Sequence, residues 1–332
     1  MSRGKQALLL LGALAAVTAV IYWAWRSRPE PPAAPETLAG LSWLPAESGL
    51  VAGIDLAAVR QQPWLGAQLG EVAGGQTESA DYRAFVAATG FDYTRDLDRV
   101  WLGVRGSSEQ PTVAGVAEGR FVRDKILAHA RQQRATLLPY RGLEVYEVET
   151  RQEPRGRFAF AFLDDSHVAF GSDAHAAAQV VDCWQGRAPA VGADAGRRAA
   201  LERRAAGQNL WAVDELEKWQ PQFLRAQADL QAVVVALSVG LRVSEQGLAL
   251  EAEARCREPQ QARQLHDNLR IAALAGRLAL ARQPDRASRA VGEALGNLTF
   301  TQEGDAVHAQ VLLPPAVVAA LLGSPAPSPA RR

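Results

Sequence analysis

The sequence predicts an α+β fold: a mainly antiparallel sheet with helices packed on one face, following one N-terminal transmembrane helix. Three observations support this prediction. Short apolar segments with alternating side chains are joined by tight turns, which is typical of antiparallel hairpins. Segments with helical periodicity lie between these hairpins, as expected of an α+β domain. An uncharged run of 19 residues, 7–25, opens the chain and is long enough to cross a bilayer.

Residues 7–25 form the predicted membrane anchor. At 1.5 Å per residue, the run matches the roughly 30 Å hydrocarbon core of a bilayer. Tyr22, Trp23 and Trp25 lie at its end, where aromatic rings prefer the headgroup region. A cleaved signal peptide needs a shorter apolar core followed by small residues, and a buried core helix would also be shorter. The aromatic end and Arg26 favour an uncleaved anchor.

The orientation prediction depends on the short basic N-terminus, because the charges on the two sides of the anchor are nearly equal. A basic leader ahead of a signal-anchor usually stays in the cytoplasm. We therefore predict a single-pass protein of the bacterial inner (cytoplasmic) membrane, with its body in the periplasm or outside the cell.

Composition shifts divide the chain into segments. Four prolines within 29–35 predict an extended spacer of about 3 Å per residue. The predicted organisation is a cytoplasmic leader (1–6), the transmembrane helix (7–25), a Pro-rich linker (26–40), a first α+β half (41–185), a polar, arginine-rich connector (186–208), a second α+β half (209–322) and a disordered tail (323–332). Two ferredoxin-like halves would suit this rhythm of hairpins and inserted helices.

In the first half, strands and helices follow each other along the chain. The predicted strands are 49–55, 99–104, 111–116, 143–148, 158–162 and 167–170. The predicted helices are 56–69, 82–89, 121–133 and a helix ending near 184, which Ser172 or Asp173 caps. Alternation of Phe158, Phe160 and Phe162 indicates the first strand of a hairpin.

In the second half, two hairpins flank a long amphipathic helix. The predicted strands are 209–213, 233–244, 247–255, 298–301 and 307–313. The helix, 259–281, carries Leu265, Leu269, Ala272 and Gly276 on one face. A short helix is expected to begin at Pro314.

Two short motifs resemble a known group of proteins. The segments LPAESGLVAGIDL (44–56) and YRGLEVY (140–146) are similar to uncharacterised bacterial envelope proteins that have an N-terminal membrane helix and an exported body opening "LPADT…V…D". The resemblance implies an exported location, and it carries no catalytic residue over to this chain.

The densest cluster of potential ligands lies at the predicted 158–170 hairpin and the helix after it. Its members are Asp164, Asp165, His167, Asp173 and His175. A metal site would need three or four of them to converge on one point. The simpler interpretation, which we favour, is that the aspartates make a turn and a helix cap and that the histidines are incidental.

Other candidate residues have equally simple interpretations. His129, His266 beside Asp267, and His308 are isolated histidines without a neighbouring nucleophile. Glu215 and Glu217 are expected on a helix surface, as solvated charges. The tryptophans are the best indication of a recognition surface, although burial competes with that role; they include Trp64, Trp101, Trp184, Trp211 and Trp219.

The sequence indicates no reaction. No GxSxG, SxxK, P-loop or dinucleotide signature occurs, so we predict no catalytic, cofactor-binding or metal-binding residue. Zero net charge, from 36 basic and 36 acidic residues, does not favour nucleic acid. Cys183 and Cys256 could form a bridge in an oxidising compartment or remain two buried thiols.

Function is predicted from this organisation. We expect a membrane-anchored extracytoplasmic protein that acts as a non-catalytic binding or envelope-assembly module, with a protein partner in the envelope and a ligand that the sequence does not specify. The alternative is an envelope hydrolase with dispersed acid/base residues. A pocket holding two converging carboxylates with perturbed pKa values would support that alternative.

Overall fold

The structure, a computed structural model, describes residues 35–62, 64–65, 80–107, 109–149, 156–219, 230, 232–281 and 286–321. The predicted transmembrane helix at 7–25 and the predicted tail at 323–332 lie outside these residues. Among the described residues, no helix has the length and apolar character needed to span a membrane.

The fold is α+β, as predicted, and centres on one large antiparallel sheet. Its strands are β1 (Leu50–Asp55), β2 (Leu97–Gly106), β3 (Pro111–Gly119), β4 (Thr136–Tyr140), β5 (Leu143–Glu149), β6 (Arg157–Phe162), β7 (His167–Gly171), β8 (Leu210–Glu215), β9 (Val234–Ser244), β10 (Gly247–Cys256), β11 (Thr299–Glu303) and β12 (Ala306–Leu313). They are hydrogen-bonded in the order β11-β12-β10-β9-β8-β1-β2-β3-β7-β6-β5-β4.

Helices connect and cover these strands. They are two 3-10 helices, η1 (Pro35–Ser42) and η2 (Val191–Ala193), and the α-helices α1 (Leu56–Val59), α2 (Ala80–Thr89), α3 (Tyr93–Asp96), α4 (Arg123–Gln132), α5 (Ala174–Trp184), α6 (Ala195–Ala205), α7 (Pro259–Leu280), α8 (Arg286–Asn297) and α9 (Pro315–Leu321).

The two predicted halves share the sheet. The strands of 41–185 form one side of it, the strands of 209–322 form the other, and β1 pairs with β8 where they meet. Within each side, hairpin partners are mostly neighbours, for example β9 with β10 and β5 with β6. Along the described chain the first side begins β-α-β-β-α-β, the order of a ferredoxin-like unit, but β1, β2 and β3 are consecutive neighbours in the sheet. The two ferredoxin-like halves therefore stay a prediction.

Helices cover both faces of the sheet, so the prediction of helices on one face is wrong. On β6, Ala159 and Ala161 pack in a core cluster with α5, whereas Phe160 and Phe162 pack with α4 on the other side. Neighbouring residues of a strand point to opposite faces. We call the side covered by α5 and α6 the front face, and the side covered by α4, α7 and α9 the back face. The prediction failed because it considered only the phenylalanines of β6, whereas the small alanines between them form a core on the front face.

The predicted linker and connector are partly folded. Residues 35–40, assigned to the linker, belong to η1, where Gly40 lies against the ring of Trp101 so closely that a Cβ atom would overlap it. The connector 186–208 contains η2 and α6, whose Leu201 and Ala205 are buried in the front core. Its apolar residues are few among arginines, which is why the composition suggested a polar link.

Several local assignments also differ from the predictions. The helix expected over 56–69 ends at Val59 as α1, while β4 and α8 were not predicted at all. Glu215 is the last residue of β8 and Glu217 follows in a turn, so neither lies on a helix surface. Strand β4 forms a sheet edge and contains Pro139, a residue tolerated there because an edge strand leaves backbone groups unpaired.

Candidate functional site

A cleft opens on the front face, between α6 and strands β8, β9 and β10. Its volume is about 730 Å³, and residues of η2 and Lys218, which follows β8, also line it. Asp194 caps the start of helix α6, and its carboxylate accepts a hydrogen bond from the Arg197 backbone N–H at 2.7 Å. Leu201 and Ala205 anchor its buried side. The other sides of α6 therefore project into the cleft or into solvent.

Arg197 joins three parts of the molecule at one end of the cleft. Its guanidinium donates to the backbone oxygens of Ala46 (2.6 Å) and Ser48 and pairs with Glu215 at 2.5 Å. Lys218 pairs with the other oxygen of the Glu215 carboxylate. Because its donors are used in this way, Arg197 positions α6 over the sheet.

Glu253 on β10 is the centre of the charged floor. Only 7% of its side chain is exposed, and Arg204 of α6 pairs directly with its Oε2 atom. Arg255 lies 3.7 Å from Oε1, and His308 Nδ1 on β12 lies 3.2 Å from Oε2. A buried carboxylate needs such partners, since an unpaired charge is costly to desolvate.

The charged lining of the cleft is predominantly cationic. Three carboxylates are outnumbered by five basic side chains, which are Arg197, Arg203, Arg204, Lys218 and Arg255. Arg203 is exposed at the rim. The apolar part of the lining includes Val213 and Ala236. Arginine presents a planar fork of donors that fits carboxylates and phosphates, so this lining favours an anionic ligand.

Asp214 lies between two cleft residues in the sequence, Val213 and Glu215, but its side chain is on the other face of the sheet. Trp211, Val213 and Glu215 point to the front, so Asp214 points to the back, where its cross-strand neighbours are Leu50 and Leu237. Burial, and secondarily the charge of Glu215, raises the pKa of the Asp214 carboxyl to about 8. This carboxyl cannot reach a ligand in the cleft.

The potential ligands around the β6–β7 hairpin do not converge on one point. Asp164 accepts from the His167 backbone N–H at 2.7 Å and lies 2.9 Å from its Nδ1 atom, which closes the turn. Asp173 caps α5 by accepting from the Ala176 N–H at 2.7 Å, while Asp165 and His175 are exposed. Within the described part of the chain, no group of three or more His, Cys, Asp or Glu residues is placed to hold a metal.

The remaining histidines and the cysteines are scattered. The ring of His129 packs at an edge against Phe85, and His266 Nδ1 lies 3.1 Å from Asp267. His167 packs between aromatic rings rather than facing a cavity. Cys183 and Cys256 are free and buried, and burial raises both thiol pKa values, that of Cys183 to about 11. The disulfide alternative is therefore wrong.

The tryptophans are mainly core residues. Trp101 and Trp211 are fully buried in the front core. Trp184 joins Trp43 and His167 in an aromatic group, with ring centroids 4.7 Å apart for the two indoles. Trp64 is half-buried in a back-face cluster and donates from Nε1 to the Ser244 carbonyl oxygen at 2.9 Å. Trp219, also half-buried, follows β8 near Gly49.

Sequence reasoning missed Glu253, Arg204 and Arg255 and treated His308 as incidental. A signal was present in β10, where Glu251, Glu253 and Arg255 alternate with alanines and indicate a polar strand face. No comparable signal linked this face to α6, because the pairing depends on register across the sheet.

A comparison of the sequence with known protein families finds a match. A family model described as "Protein of unknown function (DUF3352)" matches residues 119–285, half of the chain. The chain belongs to this family. The DUF3352 match runs from the end of β3 to just beyond α7, so it includes α6 and Glu253.

Other comparisons are distant or negative. No curated protein matches the sequence. Among solved structures, crystal form I of TP0453 is similar at 9% identity with a TM-score of 0.45, covering 86% of this chain and 96% of TP0453. Crystal form IV is similar at 8% identity and a TM-score of 0.46, covering 90% and 99%. The likeness is too distant to bear on the function of this DUF3352 protein.

Proposed function

We propose that this protein is a membrane-anchored, extracytoplasmic binding module of the cell envelope, and that its front-face cleft receives an acidic segment of a protein partner. The observation that carries the proposal is the excess of basic side chains around a cleft of about 730 Å³. Ligand sites in proteins usually have volumes of about 300–1,000 Å³. The resemblance to exported envelope proteins and the uncharged run at 7–25 support the location.

The geometry assigns different roles to the basic residues. Arg197 is held by backbone oxygens and Glu215, so it maintains the cleft. Arg203 at the rim and Arg255 on the floor have more freedom, since Arg255 pairs with Glu253 only at 3.7 Å. These two side chains are the ones we expect to contact an incoming carboxylate.

The hydrolase alternative gains no support from the cleft. Its carboxylates Glu215 and Glu253 are each paired with basic side chains. Asp214, the neighbouring carboxyl with the raised pKa, faces the back of the sheet. Binding therefore fits these residues better than acid–base chemistry.

The cleft prediction is tested with an acidic peptide. Arg203→Gln combined with Arg255→Gln is expected to weaken binding of a fluorescein-labelled pentapeptide, Ala-Glu-Asp-Glu-Ala, by about tenfold or more, because hydrogen bonds to charged groups contribute about 1.5–3 kcal/mol each. Fluorescence anisotropy with the detergent-solubilised full chain measures the change.

The matched control for the cleft is Arg198→Gln on the same helix. Arg198 pairs with Glu202 on the exposed side of α6, 2.8 Å away, outside the cleft. The Arg198→Gln variant should bind the peptide as tightly as the unaltered chain does. Absence of saturable peptide binding, or an equal loss in Arg198→Gln, contradicts the assignment of the cleft.

The anchor prediction is tested by extraction. The full chain is expected to stay in the membrane pellet after a carbonate wash, and deletion of residues 7–25 should release it. An alkaline phosphatase domain fused after Arg332 should be active, because that enzyme matures only outside the cytoplasm. Intact full-length chain in the aqueous fraction, or a mature N-terminus beyond residue 25, contradicts the anchor.

A further inference from the structure

Helix α7 exposes a row of large apolar side chains. Ile271, Leu274 and Leu278 are 68%, 58% and 59% exposed. Their spacing of three and four residues places them on one side of the helix. Exposed large apolar side chains in such a row mark an interaction surface more often than single ones do. We call these three residues the apolar row.

The other sides of α7 are already packed. Leu265 and Leu269 lie against the back-face core around Cys256 and Val307. Gly276 is buried where α8 approaches, and a Cβ atom there would lie 3.1 Å from a methyl group of Leu295, closer than ordinary contact. The apolar row points away from both the sheet and α8, so the fold of the described chain does not use it.

Two arginines border the apolar row. Arg270 and Arg277 are seven residues apart, which aligns them in one stripe of an α-helix, beside Leu274. Both are exposed. The Arg277 guanidinium lies along α8, next to Gly296, on the rim of the apolar row. From residue 270 to the end of α7 the sequence contains no acidic residue. This half of the helix thus combines an apolar row with positive charge.

We propose that the C-terminal half of α7 is a membrane-surface helix. The apolar row enters the boundary between headgroups and acyl chains, and Arg270 and Arg277 contact phosphate groups of anionic lipids. Helices that lie in the membrane interface combine an apolar face with basic residues in this way. Arginine is suited to the role because its guanidinium binds phosphate oxygens in a bidentate manner.

A lipid surface fits this face better than a second protein because the arginines beside the apolar row complement anionic headgroups and because a short tether keeps the body close to the bilayer. The tether leaves the body through η1, which packs in the front core, so it limits the distance to the bilayer and the α7 chemistry selects the face. Residues 26–34, between the predicted transmembrane helix and η1, span at most about 30 Å when extended. A body on so short a tether stays within reach of the bilayer, at high effective concentration. The closeness to the bilayer rests on the proposed membrane anchor. The apolar and basic character of the α7 face is independent of that anchor.

Depth-dependent quenching in lipid tests the proposal. A fluorophore is attached at Ala275→Cys, an exposed position beside the apolar row, in the full chain reconstituted into phosphatidylcholine–phosphatidylglycerol vesicles. Nitroxide-labelled lipid is expected to quench this fluorophore, and aqueous iodide to quench it poorly. Because Cys183 and Cys256 are buried, labelling of the unsubstituted chain provides the blank.

The matched control is Ala128→Cys, an exposed alanine on α4. A fluorophore there should remain accessible to iodide and unaffected by nitroxide lipid. In the Ala275→Cys background, Arg270→Gln with Arg277→Gln is expected to shift docking on anionic vesicles about 30-fold toward the undocked state, since each basic residue near an anionic surface contributes about fivefold. Vesicles of phosphatidylcholine alone should give the same loss.

A second set of variants tests the apolar row. Ile271→Gln, Leu274→Gln and Leu278→Gln together should abolish lipid quenching while the circular dichroism spectrum stays unchanged, because the side chains are exposed and glutamine forms helices well. Lipid quenching that survives these substitutions overturns the assignment of the row.

The remaining outcomes also decide the question. A fluorophore at 275 that both quenchers leave unaffected is covered by protein, and one that iodide quenches freely is uncovered; either result overturns the proposal. Failure of the anchor is seen separately, because the carbonate wash then releases the chain. Flotation of that released chain with anionic vesicles still measures the contribution of α7.

Discussion

Trp211→Ala is expected to lower the free energy of unfolding by about 3–5 kcal/mol, the usual cost of removing a large aromatic side chain from a core. Trp211 is 0% exposed, and its ring covers Gly53 on β1, where a Cβ atom would lie 2.6 Å from ring atoms. The ring packs in the front core over the β1–β8 pair, and the hydrogen-bonded strands beneath it resist collapse into the space that alanine leaves.

The position of Trp211 also predicts how the chain unfolds. Since β1 and β8 join the two predicted halves in one sheet, both halves should lose structure in a single transition. Pulse proteolysis in urea, with the full chain in mild detergent, measures the loss. Phe158→Ala serves as the control. Because Phe158 is 42% exposed, this substitution should lower the free energy of unfolding by less. Equal losses for the two variants, or two separate transitions, would contradict this prediction.

Asp214 should make the protein less stable as the pH rises. Its pKa is about 8 in the fold, against an ordinary value of 3.8, chiefly because burial disfavours the charged carboxylate. The folded state therefore keeps a proton that the unfolded state loses near pH 4. The contribution of Asp214 to stability is greatest below about pH 4 and is lost as the pH rises to about 8. At about 1.4 kcal/mol per pH unit over about four units, the loss is about 6 kcal/mol.

Asp214→Asn removes this titration. In this variant, position 214 should add no pH dependence to the free energy of unfolding, since the amide stays neutral. At pH 8 its free energy of unfolding should be several kcal/mol higher than that of the unaltered chain. Pulse proteolysis at a series of pH values between 5 and 9 provides the measurement. Glu217→Gln, an exposed site paired with Arg257, should keep the original slope. An unchanged slope in Asp214→Asn would show that Asp214 is ionised in the fold.

The hairpins and the long helix could be predicted because their signals are local. The turn at Glu245–Gly247 and the apolar alternation on either side are adjacent in sequence, and β9 and β10 pair as expected. Helix α7 repeats its apolar residues with helical spacing, and its observed bounds, Pro259–Leu280, differ from the prediction by one residue. In such segments the pattern and the turn residues favour the same structure.

Where the predictions failed, the local signal was weak. Helix α6 buries only Leu201 and Ala205 between pairs of arginines, so it resembled a polar connector. Strand β4 has no apolar alternation, since its residues are mostly exposed at the sheet edge. The alanines of β6 form a second core face, but small side chains carry little weight in a hydrophobic pattern.

The candidate site illustrates the same division. Alternation along β10 could have placed Glu251, Glu253 and Arg255 on one strand face, since side chains of a strand alternate with a period of two, although the prediction did not use it. That Arg204 and His308 meet Glu253 depends on how β9, β10 and β12 align and on where α6 packs. These contacts join residues far apart in the chain, and no local spacing encodes the register that brings them together.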